Sequence, residues 1–424
     1  MDWKPRVLLM SIGELRSNEI ETDLKAVETS LGTIDIDLTI MSPLYDEKKV
    51  IEAARRLKAE EVDLLVLVAL HGACAPLLVL AAEHSELRTV IWALPARYSL
   101  PTAASAIGTL KEEGLESTLV FGSGNDQQIP TMVKRLARVA FTVNRLKRVR
   151  IGKIGGVFNL MTASYYDKNR LRQRLGPDVV RIPISDFKES LSKVTAEEVD
   201  HAVEKILQPI EVDKAILGKA MRQHLALKQI VSARGLDGVT LECHSELIKE
   251  FAINPCLGFI ENEYVIGCEG DAVSCAAILM LQYLTGLCVT AVDPLTIDGN
   301  DVMTMVHCAG PAEVGEHATI EMGTSPSHVG KPVPLAMCRP KFPSDLEVTL
   351  VRLYGINLDK LHVARGRIIA SDAKGQLHIE IKLHGGRTAF INHMSGNHYI
   401  VVPGDIREDL GLLAESLKIQ ILES

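Results

Sequence analysis

The feature that most constrains the fold is a regular alternation of short apolar runs and helical patterns over residues 1–150. Apolar runs of this length predict strands, and the stretches after the first, second, fourth and fifth runs carry the 3.6-residue period of helices. The predicted strands are Arg6–Ile12, Ile34–Met41, Val62–Leu70, Thr89–Leu94 and Ser117–Phe121. Strands that alternate with helices favour a parallel sheet, so we expect a doubly wound αβ domain.

A second series of predicted strands and helices begins after the basic run at 145–148. From about residue 303 the pattern changes to short β-rich runs separated by turn signals, which is typical of a sandwich or barrel. We therefore predict an α/β fold with two Rossmann-like αβα domains, each built on a parallel sheet, followed by a C-terminal β-barrel or sandwich. The predicted domains span residues 1–148, 149–287 and 288–424.

Composition limits the partners of such a chain. The formal net charge of −8 over 424 residues leaves no basic footprint for nucleic acid or an anionic membrane. The longest apolar stretches are too short for a transmembrane helix, and the first residues resemble a strand rather than a signal peptide. The eight cysteines show no Cys-x-x-Cys spacing, so we expect reduced thiols. These observations predict a cytoplasmic protein that binds a small molecule.

Two carboxylates, Glu269 and Asp293, each end an apolar run and are separated by a long apolar helical pattern. Their separation of 24 positions suits one strand end, one helix and a return strand. If both strands belong to one parallel sheet, the two side chains lie at the same edge of that sheet. Two oxygen ligands at one edge predict a divalent-metal or proton-transfer site.

Other ionisable residues also follow predicted strands. His71 and Arg97 come after strands of the first domain, where each could contact a substrate, although His71 could equally bind a neighbouring carbonyl. Glu242 and His244 follow the predicted strand Gly238–Leu241 and are candidates for substrate binding. In the alternative interpretation, His244 packs against a helix that begins at Glu246.

Five short segments resemble the L-fucose isomerase family in their order and spacing. The segments are Cys268–Asp271, Leu281–Gly286, Val292–Asp293, Val306–Gly310 and Gly396–Tyr399. The resemblance is carried by the second and third predicted domains, and the pattern of the first domain is compatible with it. L-Arabinose isomerase shares the fold but resembles this chain less, because its second acidic ligand is a glutamate in a different motif.

The resemblance implies a metal-dependent aldose–ketose isomerase. In this family a glutamate, an aspartate and a C-terminal histidine, here matched by Glu269, Asp293 and His398, bind a divalent metal with two neighbouring sugar oxygens. The metal is usually Mn²⁺, and Mg²⁺ or Co²⁺ would also accept an oxygen-rich site. The reaction moves a proton between adjacent carbons through a cis-enediol, so Glu269 and Asp293 are the expected catalytic carboxylates. His307, within a matching segment, is a candidate for substrate binding.

The family also implies a homo-oligomer, with a hexamer expected, in which a neighbouring subunit's N-terminal domain closes the site. His71 and Arg97 would then act across the interface. If Arg97 faces the pocket, a sulfosugar of the sulfoquinovose type becomes an alternative substrate. A non-catalytic sugar-binding or regulatory protein on the same scaffold is the other alternative.

Each proposed metal ligand also has a structural interpretation. Asp293 precedes Pro294 and could belong to a turn, and His398 could be a polar loop residue at a strand start. His393 lies five positions before His398 and competes for the role of histidine ligand. Asp271 is expected to cap the helix that begins at Ala272.

Overall fold

The computed structural model describes residues 3–15, 17–57, 60–158, 161–244, 255–324, 333–372 and 376–424. The chain divides into two compact units, Met1–Asn144 and Arg145–Ser424. The predicted second and third domains both lie within the second unit. No helix in the described ranges has the length and apolarity that a membrane span requires.

The first unit contains a five-stranded parallel sheet with the strand order β2-β1-β3-β4-β5. Its strands are β1 (Arg6–Ile12), β2 (Asp37–Leu44), β3 (Leu64–Ala69), β4 (Arg88–Ala93) and β5 (Ser117–Phe121). Its helices are α1 (Asn18–Leu31), α2 (Glu47–Leu57), α3 (Ala75–Ser85), α4 (Ser99–Glu112) and α5 (Gln128–Leu146), of which α5 ends two residues into the second unit. The central strand β3 is buried at every position, as expected where helices cover both faces of a parallel sheet.

The second unit begins with a four-stranded parallel sheet with the order β10-β9-β6-β7. Its strands are β6 (Arg150–Ile154), β7 (Asp178–Ile182), β9 (Gly238–Leu241) and β10 (Val265–Gly267), and the short β8 (Ile210–Glu211) lies outside this sheet. The helices are α6 (Lys168–Arg174), α7 (Ile184–Lys193), α8 (Ala196–Glu204), α9 (Lys214–Arg234) and α10 (Ala272–Thr285). Helix α10 is buried from Ala272 to Leu284, so it lies in the core of this unit.

A closed six-stranded antiparallel barrel follows, which confirms the predicted C-terminal β-barrel or sandwich in its barrel form. The barrel strands are β11 (Thr290–Ile297), β12 (Val302–His307), β15 (Glu347–Tyr354), β16 (Lys360–Asp372), β17 (Leu377–Leu383) and β18 (Tyr399–Pro403). Closure leaves no free sheet edge among these six strands.

Three further strands and two helices complete the description of the second unit. Strands β13 (His317–Thr324) and β14 (Pro334–Lys341) form a small sheet with β8. Helices α11 (Gly386–His393) and α12 (Arg407–Leu417) flank β18, and the last strand, β19 (Gln420–Glu423), pairs parallel with β16.

The expected strand-helix-strand unit around the two carboxylates is wrong in its second strand. Glu269 does follow a parallel strand, β10, and α10 does follow it. However, β11 belongs to the antiparallel barrel, where Asp293 lies opposite Val306 of β12. The partners of β11 are β12 and β18, and this non-local pairing cannot be inferred from the spacing of the two carboxylates. The strand register shifts between Pro294 and Thr296, where the proline has no N–H to donate.

Candidate metal centre

The candidate site lies in the second unit, where loops at the carboxyl edge of the parallel sheet meet the barrel. Glu242 and His244 follow β9, and Glu269 follows β10. The barrel supplies residues within or beside its strands: Asp293 in β11, His307 at the end of β12 and His398 immediately before β18. The fold therefore brings together ionisable residues that are separated by up to about 150 positions in the sequence.

Three of these residues form a cluster with the geometry of a metal site. Ligand atoms of Asp293, His307 and His398 all lie within 4.8 Å of one another. The Nε2 atom of His398 lies 3.8 Å from Asp293 Oδ1 and 3.6 Å from Glu269 Oε2. This Nε2 atom is buried and has no hydrogen-bond partner among the described residues. It is thus oriented toward two carboxylates without a hydrogen bond to either.

His307 is a cluster member that the sequence suggested only as a substrate contact. Its Nδ1 atom lies 2.9 Å from the carbonyl oxygen of Ala309, so Nδ1 carries the proton and Nε2 carries the lone pair. The centres of the His307 and His398 rings are 5.7 Å apart. A turn signal, Asp298-Gly299-Asn300, predicts a hairpin that would have placed His307 near Asp293.

Asp271 caps α10, as expected, and it also contacts the histidine of the cluster. Its Oδ1 accepts a hydrogen bond from the Ser274 N–H at 2.9 Å. Its Oδ2 accepts from the hydroxyls of Ser274 (2.6 Å) and Ser164 (2.7 Å), and lies 3.0 Å from His398 Nδ1. The guanidinium of Arg352 approaches the same oxygen at 3.5 Å. The contact with His398 was not foreseen from the sequence.

A tight backbone turn aims the carboxylate of Glu269. Glu269 has a left-handed backbone with φ 60°, and Gly270 follows with φ 75°. A Cβ atom on Gly270 would overlap the carbonyl oxygen of Gly156, so this position requires glycine. The Phe158 N–H donates to the Glu269 carbonyl at 2.9 Å. Non-glycine residues in this conformation are strained and concentrate at functional sites.

His244 holds the second oxygen of the Glu269 carboxylate. Its Nε2 atom lies 3.0 Å from Glu269 Oε1, and its ring centre is 4.8 Å from that of Phe158. The backbone N–H of His244 donates to Glu242 Oε1 at 3.3 Å, so Glu242 contacts the residue that holds Glu269. The helix start expected at Glu246 lies outside the described residues.

Electrostatics within the site favour charged carboxylates. Burial alone would raise the pKa of Glu269, but the hydrogen bond from His244 and the charge of His398 lower it. Burial alone would lower the pKa of His398, but Asp293 and Asp271 raise it to about 9. The carboxylates therefore attract a positive charge at this point, which is either a proton on imidazole or a cation.

Asp293 is the most accessible of the carboxylates. Its side chain is 28% exposed, against 12% for Glu269. The side-chain amide of Asn397 donates to Asp293 Oδ1 at 3.0 Å and fixes the orientation of the carboxylate.

The candidates from the first unit are engaged within that unit. His71 Nε2 accepts a hydrogen bond from the Glu14 N–H at 3.1 Å, and its Nδ1 contacts the Gly72 carbonyl oxygen. The guanidinium of Arg97 pairs with Asp23 and lies 3.9 Å from Glu19. His71 therefore contacts backbone groups, which was the alternative to substrate contact. The charge of Arg97 is paired with a carboxylate of the same unit.

His393, the competing histidine, lies outside the cluster formed by the described residues. It ends α11, and its ring centre is 5.8 Å from that of His362.

Comparison with known proteins adds little to this description. No protein-family profile matches the chain, and no curated protein does. A solved ABC domain from Streptococcus pneumonia in complex with L-Trp has 16% identity, covering 56% of this chain and 73% of that one, with a TM-score of 0.20. An ABC-transporter solute-binding protein from Agrobacterium vitis bound to α-D-tagatopyranose has 8% identity, covering 66% and 89%, with a TM-score of 0.19. CapF with the inhibitor 3-isopropenyl-tropolone has 11% identity, covering 93% and 94%, with a TM-score of 0.15. Similarities this weak assign neither a fold nor a function.

Proposed function

We propose that this protein is a metal-dependent aldose–ketose isomerase of the L-fucose isomerase family, acting on a deoxy or otherwise modified sugar. The observation that carries the proposal is the convergence of Glu269, Asp293, His307 and His398 at one place in the second unit. The two Rossmann-like domains and the barrel that the sequence pattern predicts are compatible with the family resemblance. That resemblance implies a homo-oligomer, with a hexamer expected, and the composition favours a cytoplasmic location.

The residues at the site fit a divalent cation. The orphaned Nε2 atom of His398 offers a lone pair once its proton has left, and Asp293 and Glu269 offer oxygens within 4 Å of it. Mixed carboxylate and imidazole donors suit Mn²⁺ or Co²⁺, and two imidazoles make Mg²⁺ less suited. When bound, such a cation would polarise the neighbouring oxygens of an open-chain sugar and favour loss of a proton from the adjacent carbon.

We assign the proton transfer to Asp293. Asn397 holds Oδ1 of this carboxylate, so Oδ2 is available to take a proton from C2 of the aldose and return it to C1. Glu269 is more buried, and its pKa is lowered by the hydrogen bond from His244 against the effect of burial. An ionised, anchored carboxylate of this kind serves better as a ligand than as a proton carrier.

Arg97 no longer supports a sulfosugar substrate, because its guanidinium is already paired with Asp23. We therefore propose a neutral sugar.

A substrate panel tests this proposal. Protein stripped of metal and reloaded with Mn²⁺ is incubated with L-fucose, D-arabinose, L-arabinose, L-rhamnose and sulfoquinovose, and ketose formation is measured. We expect manganese-dependent conversion of at least one neutral sugar, which Asp293→Asn abolishes. Conversion of sulfoquinovose alone would restore the sulfosugar alternative. Bound manganese without any conversion would favour a sugar-binding protein.

A further inference from the structure

We propose that Asp271 is a positioning residue for His398. Its carboxylate accepts the Nδ1 proton of the imidazole, so the Nε2 lone pair is presented to Asp293, Glu269 and the cation that they would bind. Arg352 fixes the backbone that carries this histidine. The role of Asp271 in metal binding rests on the proposed function, whereas its effect on the tautomer of His398 does not.

The hydrogen bonds around Asp271 determine which nitrogen of His398 carries a proton. Oδ2 of Asp271 is completely buried and lies 3.0 Å from His398 Nδ1. A carboxylate only accepts hydrogen bonds, so the proton between these two atoms belongs to Nδ1. In the neutral imidazole the other nitrogen then has no proton and can bind a metal.

Arg352 reaches this network from the barrel strand β15. Its Nη1 atom donates to Ser274 Oγ at 2.9 Å and to the carbonyl oxygen of His398 at 3.0 Å. The His398 backbone is therefore held independently of its side chain. Gly396 has φ +123°, and a Cβ atom there would lie 3.0 Å from Arg352 Nη2, so the chain passes directly over the guanidinium.

Asparagine at position 271 separates helix capping from histidine positioning. Its Oδ1 can still accept from the Ser274 N–H, because asparagine caps helices as well as aspartate does. Its amide group on the other side is a donor and cannot accept the Nδ1 proton. His398 must then turn a lone pair toward position 271, which moves the proton of the neutral ring to Nε2, the atom needed for the metal.

The experiment begins with metal-free protein whose histidines carry ¹⁵N, held at a pH above the pKa of His398 so that its ring is neutral. We expect a slowly exchanging proton on His398 Nδ1 in the wild type, assigned by its loss in His398→Gln. In Asp271→Asn and in Asp271→Ser, which also retains a capping residue, this signal should be absent. Manganese titration, followed by electron paramagnetic resonance, should show an affinity weakened by a factor of about 10–100 in both variants.

Asp213→Asn is the matched control. Asp213 caps α9 through the Ala215 and Ile216 N–H groups, is exposed and contacts no histidine among the described residues. Its substitution should leave both the His398 signal and the manganese affinity unchanged.

A retained Nδ1 proton signal in Asp271→Asn and Asp271→Ser would overturn the positioning role, as would a manganese affinity within twofold of the wild type. Failure of the wild type itself to bind manganese would instead contradict the proposed metal centre. In that case the ¹⁵N signal still decides whether Asp271 fixes the ring of His398.

Discussion

At the residue scale, the site depends on how a few buried side chains share protons. His398 lies between Asp271 on one side and Asp293 and Glu269 on the other. Each carboxylate stabilises a positive charge on the ring, which opposes the cost of burial. A proton and a metal ion therefore compete for the Nε2 atom of this histidine.

This competition predicts a pH-dependent metal affinity. The pKa of His398 is raised to about 9, because Asp293 and Asp271 outweigh the effect of burial. Metal binding must displace the Nε2 proton below that pH, so the apparent manganese affinity should rise by roughly tenfold per pH unit between pH 6 and 8. Calorimetric titrations across this range measure the slope. A flat profile would show that manganese binds elsewhere.

Alanine substitutions of His307 and of His393 give opposite predictions for manganese binding. His307→Ala removes a cluster member and should weaken manganese binding at least tenfold, because one ligand and its hydrogen bond to the Ala309 carbonyl are lost. His393→Ala is the control and should bind manganese as the wild type does. Equilibrium dialysis of both variants measures the difference. The reverse pattern would place the metal near α11.

At the element scale, the site depends on one tight connection between β10 and α10. Gly270→Ala should destabilise the protein by roughly 2 kcal/mol or more, because φ is +75° and the new Cβ atom would overlap the Gly156 carbonyl oxygen. Urea unfolding measures the change in the free energy of unfolding.

Gly108→Ala is the corresponding control within a helix. Gly108 lies inside α4, and a Cβ atom there meets nothing within 4 Å. This substitution should stabilise the protein by about 0.5–1 kcal/mol through helix propensity. Equal effects of the two substitutions would contradict the strained geometry of the connection.

Local sequence patterns predicted most of the helices and strands. The predicted strands Arg6–Ile12 and Ser117–Phe121 coincide with β1 and β5. Helix α3 was missed because its apolar residues show no amphipathic period, as befits a helix packed between neighbours. The partner of β11 was predicted incorrectly because strand pairing, here with β12 and β18, depends on residues that are distant in the sequence.

The site residues also divide into those that a sequence pattern marks and those that only the fold brings into contact. Glu269, Asp293 and His398 carry a resemblance that can be read from the sequence. Arg352 lies 46 positions from His398 and contacts it only because β15 pairs with β18. No sequence pattern marks that contact.

At the scale of the whole molecule, the described chain joins two parallel sheets and a closed barrel. The second unit assembles its site from loops of the parallel sheet and strands of the barrel, so the stability of the barrel supports the site. His362 is central to that barrel: its Nδ1 lies 2.6 Å from Tyr399 Oη, and its Nε2 lies 2.8 Å from Ser424 Oγ.

His362 predicts how the molecule responds to acid. Burial lowers the pKa of His362 from 6.5 to about 4, so the folded protein resists protonation that the unfolded chain accepts. The stability from this neutral histidine is present above pH 6.5 and is lost as the pH falls to 4, by on the order of 3 kcal/mol. Unfolding curves between pH 4 and 7, compared with those of His362→Gln, measure it. An identical pH dependence in both proteins would contradict this assignment.

We propose that the carboxylates and imidazoles of this site move a proton on a sugar. The most direct test is to incubate manganese-reloaded protein with candidate aldoses in deuterium oxide and to follow the proton on C2 by NMR. We expect exchange of that proton in the wild type and none in Asp293→Asn. A sugar that binds without any exchange would contradict catalysis and identify the site as one for binding alone.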